Sequence, residues 1–318
     1  MEELKMVNIV RAYCWLLHWL MRAVGLRPYT VEIEPGTVIR FWVPCDAASN
    51  HKPVVVLLHG FCGDGIINWQ CQVGALTRDY AVYVPDLLFF GGSVTDKAER
   101  SPEFQAECLA AGLGKLGVEK CAMVGFSYGG FVALKMAEMY AEMVECVVLS
   151  GAVVAVTESI ISRAVEGIGF SSCSEMLLPT SVEGLKFLLS IAAHRNLSLP
   201  NRFYADFLQA MYSNRKERAE LLEALVICYE EINIPKFQQR IHILWGEDDK
   251  VFKVEFAQKM KEKMGNNVTF EAIKNAGHLV HLERPWVYNK CLKQFLTCVL
   301  PLPEDKETNM GMQGNGKD

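Results

Sequence analysis

The chain has 318 residues, of which 51% are hydrophobic, so it can bury a large core and is neither disordered nor fibrous. Its 32 Lys and Arg residues are outnumbered by 37 Asp and Glu residues, and a net charge of -5 makes nucleic acid an unexpected partner. The 11 cysteines form no CxxC pair, which favours a reducing compartment and argues against a metal site.

The first segment, residues 1–28, is predicted to form an amphipathic helix. A polar stripe at helical spacing is formed by Asn8, Arg11, His18 and Arg22. Two arginines inside an otherwise apolar stretch would each cost roughly 2.5–3.5 kcal/mol near the bilayer centre, so a spanning helix is disfavoured, and the signal-peptide pattern is also a poor match. Two interpretations stay open. Either the helix packs on the domain of a cytoplasmic protein, or it lies at a membrane surface with Trp15 and Trp19 among the lipid headgroups.

The globular part is predicted to open with a β-hairpin formed by Tyr29–Glu34 and Val38–Val43. Compact apolar runs then alternate with helix-length segments such as Pro102–Leu116 and Tyr128–Tyr140. Short strands without polar alternation are typical of a parallel sheet covered by helices on both faces. The sequence therefore predicts an α/β fold with a mostly parallel central sheet, built from residues 29–152 and 241–300. The apolar runs are Val54–Leu58, Ala81–Val84, Cys121–Val124, Val144–Leu149, Ile241–Leu244 and Val268–Ile273.

The strand-helix alternation stops between residues 153 and 240, where the patterns are helical and no convincing strand is found. Leu185, Leu188 and Ala192, for example, share one helix face. We expect this stretch to form a helical cap inserted between two strands of the sheet. Residues 301–318 are rich in Gly, Asn and charge, and they predict a disordered tail.

A candidate nucleophile lies in Gly125-Phe126-Ser127-Tyr128-Gly129, between a predicted strand and a predicted helix. The pattern GxSxG in this context is the nucleophile elbow, a sharp turn that strains the serine backbone and exposes its hydroxyl. Glycines two residues to either side permit the close approach of neighbouring backbone. We predict that Ser127 is the nucleophile. The alternative role, a helix N-cap, would not require both glycines.

A serine hydroxyl needs a base to remove its proton, and the base needs an acid to orient it. His278 follows the last apolar strand in a Gly-containing turn and is the predicted base. His281 is a rival, although it is better suited to a pocket wall or a satisfied surface position.

The predicted acid follows the strand that begins at Ile241, which runs directly into Glu247, Asp248 and Asp249. Asp249 best matches the Gly-x-x-Asp spacing and is the predicted acid. Asp248 is its main rival, and Glu247 is expected to be structural. The resulting order Ser, Asp, His differs from that of the chymotrypsin and subtilisin proteases.

The remaining predicted parts are an oxyanion hole and an apolar pocket. The strand Val54–Leu58 ends beside the elbow, so the backbone N–H groups of Phe61 and Tyr128 are expected to stabilise the oxyanion. Cys62 has no base in its motif and is expected to be a packing residue. The residues expected to contact substrate are Leu188, Phe207, Met211 and Leu279.

Taken together, these motifs resemble the α/β-hydrolase superfamily over roughly residues 29–300. The strings Leu57–Phe61, Pro85–Ser93 and Gly277–Pro285 are similar to those of plant-type, cap-bearing serine hydrolases described as monoacylglycerol-lipase-like. The resemblance implies that Asp86 is a structural turn residue and that Glu283 caps or ties the last helix. Epoxide hydrolases and haloalkane dehalogenases of this fold use an aspartate at the elbow, where this chain has a serine.

The sequence therefore predicts a carboxylic ester hydrolase that acts on an apolar or lipid-like substrate through an acyl-serine intermediate. No cofactor and no metal are expected. Three alternatives use the same residues: a small-molecule receptor with slow turnover, an acyltransferase, and a carbon–carbon bond hydrolase. The last is disfavoured because such enzymes commonly place tryptophan after the base, where this chain has Leu279.

Overall fold

The computed structural model describes residues 7–46, 51–154, 156–157, 170, 172–196, 198–227 and 234–300. In chain order the elements are α1 (Ile9–Ala23), β1 (Leu26–Glu34), β2 (Thr37–Pro44), β3 (Val54–Leu58), α2 (Gly65–Leu76), β4 (Ala81–Pro85), β5 (Val94–Thr95), α3 (Pro102–Lys115), β6 (Cys121–Phe126), α4 (Tyr128–Met139), β7 (Val144–Ser150), β8 (Val156–Thr157), α5 (Cys173–Leu177), α6 (Val182–Ala192), α7 (Asn201–Met211), α8 (Arg215–Ala224), β9 (Val226–Ile227), β10 (Arg240–Gly246), α9 (Val254–Met264), β11 (Val268–Ile273), α10 (Val280–Glu283) and α11 (Pro285–Val299).

The central sheet has the strand order β1-β2-β4-β3-β6-β7-β10-β11, with β5 paired to β2 at the side. The pairs from β4 to β11 are all parallel, whereas β1-β2 and β2-β4 are antiparallel. The six apolar runs are the six parallel strands, and the predicted fold class is confirmed. Because every parallel strand ends at the same edge, the turns after β3, β6, β10 and β11 lie close together.

Two apolar layers cover the sheet, as the predominantly apolar strands predict. Successive side chains of β3 alternate between the layers: Val55 and Leu57 belong to one cluster, Val56 and Leu58 to the other. Helices α3 and α4 cover the cluster that contains Val56. Helices α1, α2 and α11 cover the opposite face.

The amino-terminal region contains the predicted helix and hairpin. Asn8 caps α1 by accepting a hydrogen bond from the Arg11 N–H, and the buried side of the helix consists of Val10, Leu17 and Met21. The helix ends at Ala23, and β1 begins before the predicted boundary at residue 28. Among the described residues, no helix is both long enough and apolar enough to cross a bilayer.

The segment between β7 and β10 supplies helices α5 to α8, which lie where the cap is predicted. It also contains a short parallel pair, in which Val156 aligns with Val226 and Thr157 with Ile227. The expectation of no strand in this segment is therefore wrong. Two-residue strands are too short to leave a recognisable pattern in the sequence. The predicted tail, residues 301–318, lies outside the described residues.

Candidate active site

Ser127 occupies the turn between β6 and α4 with φ 49° and ψ -118°. A positive φ is costly for a residue with a side chain and persists only where the surroundings enforce it. The Ser127 N–H donates to the Ser150 carbonyl at 2.8 Å, and the Gly130 N–H donates to the Ser127 carbonyl at 2.8 Å. The Ser127 side chain makes no capping hydrogen bond to α4, so it does not act as a helix cap.

The glycines of the elbow are required by close backbone contacts. A Cβ on Gly125 would lie 2.6 Å from the Gly129 carbonyl oxygen. A Cβ on Gly129 would lie 2.4 Å from the Leu58 carbonyl oxygen, at the end of β3. Both distances are shorter than atomic contact permits, so the absence of a side chain at Gly125 lets the start of α4 pack on the end of β6, and its absence at Gly129 lets the elbow pack against β3.

His278 and Asp249 form a buried pair at the same edge of the sheet. Their side chains are 8% and 1% exposed, and His278 Nδ1 lies 2.9 Å from Asp249 Oδ2. The other carboxylate oxygen, Oδ1, accepts hydrogen bonds from the N–H groups of Val251 at 2.8 Å and Phe252 at 2.9 Å. Three donors therefore fix the carboxylate in one orientation, and it in turn orients the imidazole.

The imidazole of His278 packs among residues from three strand ends. Its ring centroid lies 5.0 Å from that of Phe126 and 5.9 Å from that of Phe252. A Cβ on Gly151, which follows β7, would lie 2.6 Å from His278 Cε1. Gly151 therefore provides the space that the imidazole occupies.

The two other candidates for the acid, Asp248 and Glu247, lie in different surroundings from Asp249. Asp248 is 45% exposed, and its Oδ2 lies 2.9 Å from Nδ1 of His194 in the cap. Glu247 is exposed. Only Asp249 among the three carboxylates contacts His278 in the described structure.

His281, the rival for the base, is neither a pocket wall nor a surface residue. It is fully buried, and its ring packs 4.3 Å from Phe126 and 4.8 Å from Trp69 between centroids. Burial lowers the pKa of His281 to about 3, so the ring is neutral at physiological pH. The expectation of an exposed or pocket-lining position is therefore wrong.

The loop after β3 lies against the elbow and is held by His59. The Leu87 N–H donates to His59 Nε2 at 2.9 Å, so Nδ1 carries the proton and donates to the Gly60 carbonyl at 2.7 Å. Burial lowers the pKa of His59 to about 4, which keeps this neutral arrangement. A Cβ on Gly60 would lie 3.3 Å from the Ser127 Cβ, so this loop runs close to the serine at Gly60. Phe61 is the next residue of the loop.

A cavity of about 100 Å³ connects these groups. Ser127, His278, Phe61 and Tyr128 line it, together with apolar residues of the core and the cap. The other lining residues are Cys62, Phe126, Phe131, Cys173, Met176, Leu177, Leu188, Leu189, Ala192, Leu222, Leu225, Val226, Val251, Phe252 and Leu279. The lining is almost entirely apolar, which is typical of a pocket for a hydrocarbon group.

Two of the four predicted pocket residues, Leu188 and Leu279, line this cavity, and two do not. Phe207 packs beside Phe203 and Tyr212, with ring centroids 6.2 and 6.3 Å away. Met211 is buried in the main apolar cluster, and its carbonyl accepts a hydrogen bond from the buried guanidinium of Arg218 at 2.6 Å. Helix α7 therefore uses these side chains for packing. The cavity residues contributed by α5 and α8 were missed because amphipathic spacing does not distinguish a cavity wall from a packed interior.

Cys62 is a cavity residue as well as a packing residue. Its Sγ lies 3.3 Å from the hydroxyl oxygen of Tyr212. Burial raises the pKa of the Cys62 thiol, which disfavours the thiolate that a nucleophilic cysteine needs.

Of the two residues whose roles the resemblance implies, Asp86 holds a turn and Glu283 does not cap the last helix. Asp86 Oδ1 accepts from the Gly65 N–H at 3.0 Å and Oδ2 from the Gly92 N–H at 3.2 Å. Helix α11 begins after Arg284 without any side-chain cap. Glu283 instead joins the loop of His278 to the cap.

Comparison with known proteins supports the same architecture. Residues 53–176 match the family described as alpha/beta hydrolase fold. A bacterial membrane phospholipase A has a similar structure, with a TM-score of 0.77, 23% identity, and coverage of 92% of this chain and 91% of that chain. The chain has the α/β-hydrolase fold. A further α/β hydrolase, the 2-hydroxy-6-oxo-6-phenylhexa-2,4-dienoate hydrolase of Rhodococcus sp. strain RHA1, aligns with a TM-score of 0.69 and 18% identity over 85% of this chain and 98% of that chain.

Relatives in sequence carry hydrolase names. Human monoacylglycerol lipase ABHD6 is 24% identical over 308 residues, which cover 92% of this chain and 87% of that protein. Mouse epoxide hydrolase 4 is 26% identical over 275 residues, which cover 79% of this chain and 74% of that protein. These similarities support a hydrolase.

Proposed function

We propose that this α/β hydrolase cleaves a carboxylic ester through an acyl-serine intermediate, with Ser127 as nucleophile, His278 as base and Asp249 as acid. The observation that carries the proposal is the buried pair of His278 and Asp249, 2.9 Å apart, in which His278 lines the same apolar cavity as the strained Ser127. This combination supplies a base of defined tautomer in the same cavity as the serine nucleophile.

The reaction follows from the hydrogen bonds of the pair. Because Asp249 accepts the Nδ1 proton of His278, Nε2 is free to take the Ser127 proton as Oγ attacks the ester carbonyl. His278 then gives this proton to the departing alcohol, and the acyl group stays on Ser127. Water, deprotonated by His278, attacks the acyl-serine, and His278 returns this proton to Ser127 Oγ as the bond to the acyl group breaks and the acid leaves.

The developing oxyanion requires donors that are already in place. Tyr128 is the first residue of α4, and the first N–H groups of a helix have no carbonyl acceptor within the helix. We assign this N–H and that of Phe61 as the two donors. Each donor contributes roughly 3 kcal/mol to transition-state stabilisation.

The substrate class is argued from the cavity. A lining of Leu, Met, Phe and Val favours the acyl chain of a lipid-like ester over a polar acyl group. The monoacylglycerol lipase among the relatives is consistent with this substrate class. An epoxide hydrolase reaction is disfavoured, because the resemblance to the fold family implies an aspartate at the elbow for that reaction, and position 127 is serine.

The decisive experiment is hydrolysis of p-nitrophenyl esters of increasing acyl length by the unchanged protein and by Ser127→Ala. We expect turnover that depends on Ser127 and shows an optimum of acyl length. Stoichiometric labelling without turnover would favour a receptor, and transfer of the acyl group to added glycerol would favour an acyltransferase. Turnover that survives in Ser127→Ala would refute the assignment of the nucleophile.

We further propose that α1 binds an anionic phospholipid surface. Its buried side contacts the domain, yet its outward side is also apolar, with Trp15 82% and Trp19 63% exposed. Arg11 and Arg22 are exposed as well, and the helix contains no acidic residue although the chain is negative overall. Exposed tryptophans next to arginines are typical of a helix that lies in the headgroup region of an anionic bilayer.

Co-sedimentation with phosphatidylglycerol vesicles tests this surface. Because burying two tryptophans contributes several kcal/mol, Trp15→Ser together with Trp19→Ser should weaken binding by about tenfold or more. The matched control is Trp286→Ser, which removes an equally exposed tryptophan from α11 and should change binding less than about twofold. Equal losses in the two variants, or self-association through α1 without vesicle binding, would refute the proposal.

A further inference from the structure

Three of the four residues that flank the predicted acid and base in the sequence, Asp248, Lys250 and Leu279, bind one short part of the cap. This part, residues 190–195 at the end of α6, is called the α6 terminus here. The Leu279 N–H donates to the Ala192 carbonyl at 3.1 Å. On the side of the acid, Lys250 Nζ donates to the Ser190 carbonyl at 3.4 Å, and Asp248 pairs with His194 of the cap.

The carboxylate of Glu283 adds a further link between the loop of His278 and the α6 terminus, and these contacts together are called the junction here. Its Oε2 accepts a hydrogen bond from the Gly277 N–H at 2.7 Å, directly before His278. Its Oε1 accepts from the His194 N–H at 2.8 Å and from the Arg195 N–H at 3.3 Å. Both carboxylate oxygens are therefore used, one toward the loop of the base and the other toward the α6 terminus. Hydrogen bonds from N–H groups to a carboxylate are stronger than those to a neutral acceptor.

The junction leaves little space for movement. A Cβ on Gly277 would lie 2.7 Å from the His194 nitrogen and 2.8 Å from the Ala192 carbonyl oxygen. A Cβ on Gly246, at the end of β10, would lie 2.1 Å from the Gly277 carbonyl oxygen. The end of β10, the loop of the base and the α6 terminus are thus in direct backbone contact.

We propose that Glu283 is a positioning residue, which holds His278 at a fixed distance from Ser127 by joining the base loop to the α6 terminus. The proposal rests on the proposed function. Glu283 does not line the described cavity, so it acts through Gly277 and not on the substrate. Helix α6 also supplies Leu188 to the cavity wall, and the junction therefore sets the position of this wall relative to the base.

The test is Glu283→Gln in the full chain. Glutamine has the same shape but one acceptor oxygen, and its amide nitrogen would face an N–H donor on the other side of the junction. The matched control is Glu220→Gln, which removes another carboxylate contact between cap and core, with Arg100 Nε at 2.8 Å. That contact is remote in the sequence from both Asp249 and His278.

Because a displacement of about 1 Å can reduce turnover about a hundredfold, we expect Glu283→Gln to lower kcat by about tenfold to a hundredfold. KM should change less than about threefold, and phosphonate labelling of Ser127 should slow in parallel with kcat. A variant that is only less stable would have a lower Tm but a normal kcat at low temperature. Glu220→Gln should keep kcat within about twofold of the unchanged protein.

The outcomes separate the two proposals. Normal turnover in Glu283→Gln, or a loss no larger than that of Glu220→Gln, would refute the positioning role and leave the proposed function intact. If the unchanged protein shows no turnover and no labelling, the proposed function is refuted, and the positioning role is refuted with it. If Glu283→Gln does not fold, Glu283→Asp serves instead. It keeps the charge but is too short to reach both sides, and a normal kcat in that variant would also refute the role.

Discussion

Replacement of Asp249 by asparagine is the sharpest test of the catalytic assignment. In the structure Oδ1 accepts two backbone N–H groups and Oδ2 faces Nδ1 of His278. If the amide oxygen of asparagine keeps the two backbone donors, its NH₂ group faces Nδ1. The imidazole must then carry its proton on Nε2, where it cannot accept the proton of Ser127. The reverse orientation would set the NH₂ group against the N–H groups of Val251 and Phe252 and lose both bonds.

The expected loss in kcat is therefore about 10⁴-fold, as for the corresponding change in a serine protease, or about 5.5 kcal/mol of transition-state stabilisation. Asp248→Asn is the matched control. Its contact with His194 is half exposed, and such a pair contributes at most about 1 kcal/mol, or roughly fivefold. The assay is steady-state hydrolysis of a p-nitrophenyl ester, with thermal unfolding to check that both variants fold. Equal losses, or a loss below about tenfold in Asp249→Asn, would refute the tautomer argument.

Three further outcomes are expected. Ser127→Ala should abolish labelling by a serine-directed phosphonate while the Tm stays close to that of the unchanged protein; a labelled variant would mean that another residue is the nucleophile. Leu188→Trp should shift the optimum of p-nitrophenyl ester hydrolysis to shorter acyl chains, because Leu188 lines the cavity, whereas Phe207→Ala should leave the optimum unchanged. His281→Phe should make unfolding less sensitive to acid. Burial lowers the pKa of His281 to about 3, so the unfolded chain binds a proton that the folded chain does not, and stability is lost as the pH falls from about 6.5 toward 3. The difference in the free energy of unfolding between the variant and the unchanged protein should grow by up to about 1.4 kcal/mol per pH unit over that window; parallel curves would contradict a buried neutral imidazole.

The features that the sequence predicts best are those that depend on short stretches of chain. The six apolar runs are the six parallel strands because strands covered on both faces are rich in apolar residues, and exceptions such as Glu145 and Glu271 are exposed. The elbow is recognisable for the same reason, since the glycines at 125 and 129 are required by contacts at a single turn. Because parallel strands end at one edge, the sequence also indicates that Ser127, Asp249 and His278 approach each other.

The tertiary structure decides what depends on the direction of a side chain after a turn, or on contacts between distant segments. Asp248 and Asp249 are adjacent and chemically identical, and only the fold shows that Asp249 points toward His278 while Asp248 faces the cap. Leu188 and Met211 are both apolar residues of amphipathic helices, yet only Leu188 lines the cavity, because helix spacing records burial and not what lies opposite. Two of the three N–H groups that donate to Glu283 lie 89 and 88 residues away in the sequence, a separation over which no local pattern acts. The sequence by itself therefore determines the sheet and the types of residue at its edge. The packing of the cap on that edge, which no short stretch of chain encodes, determines which carboxylate faces His278, which residues line the cavity and which contacts join the cap to the loop of His278.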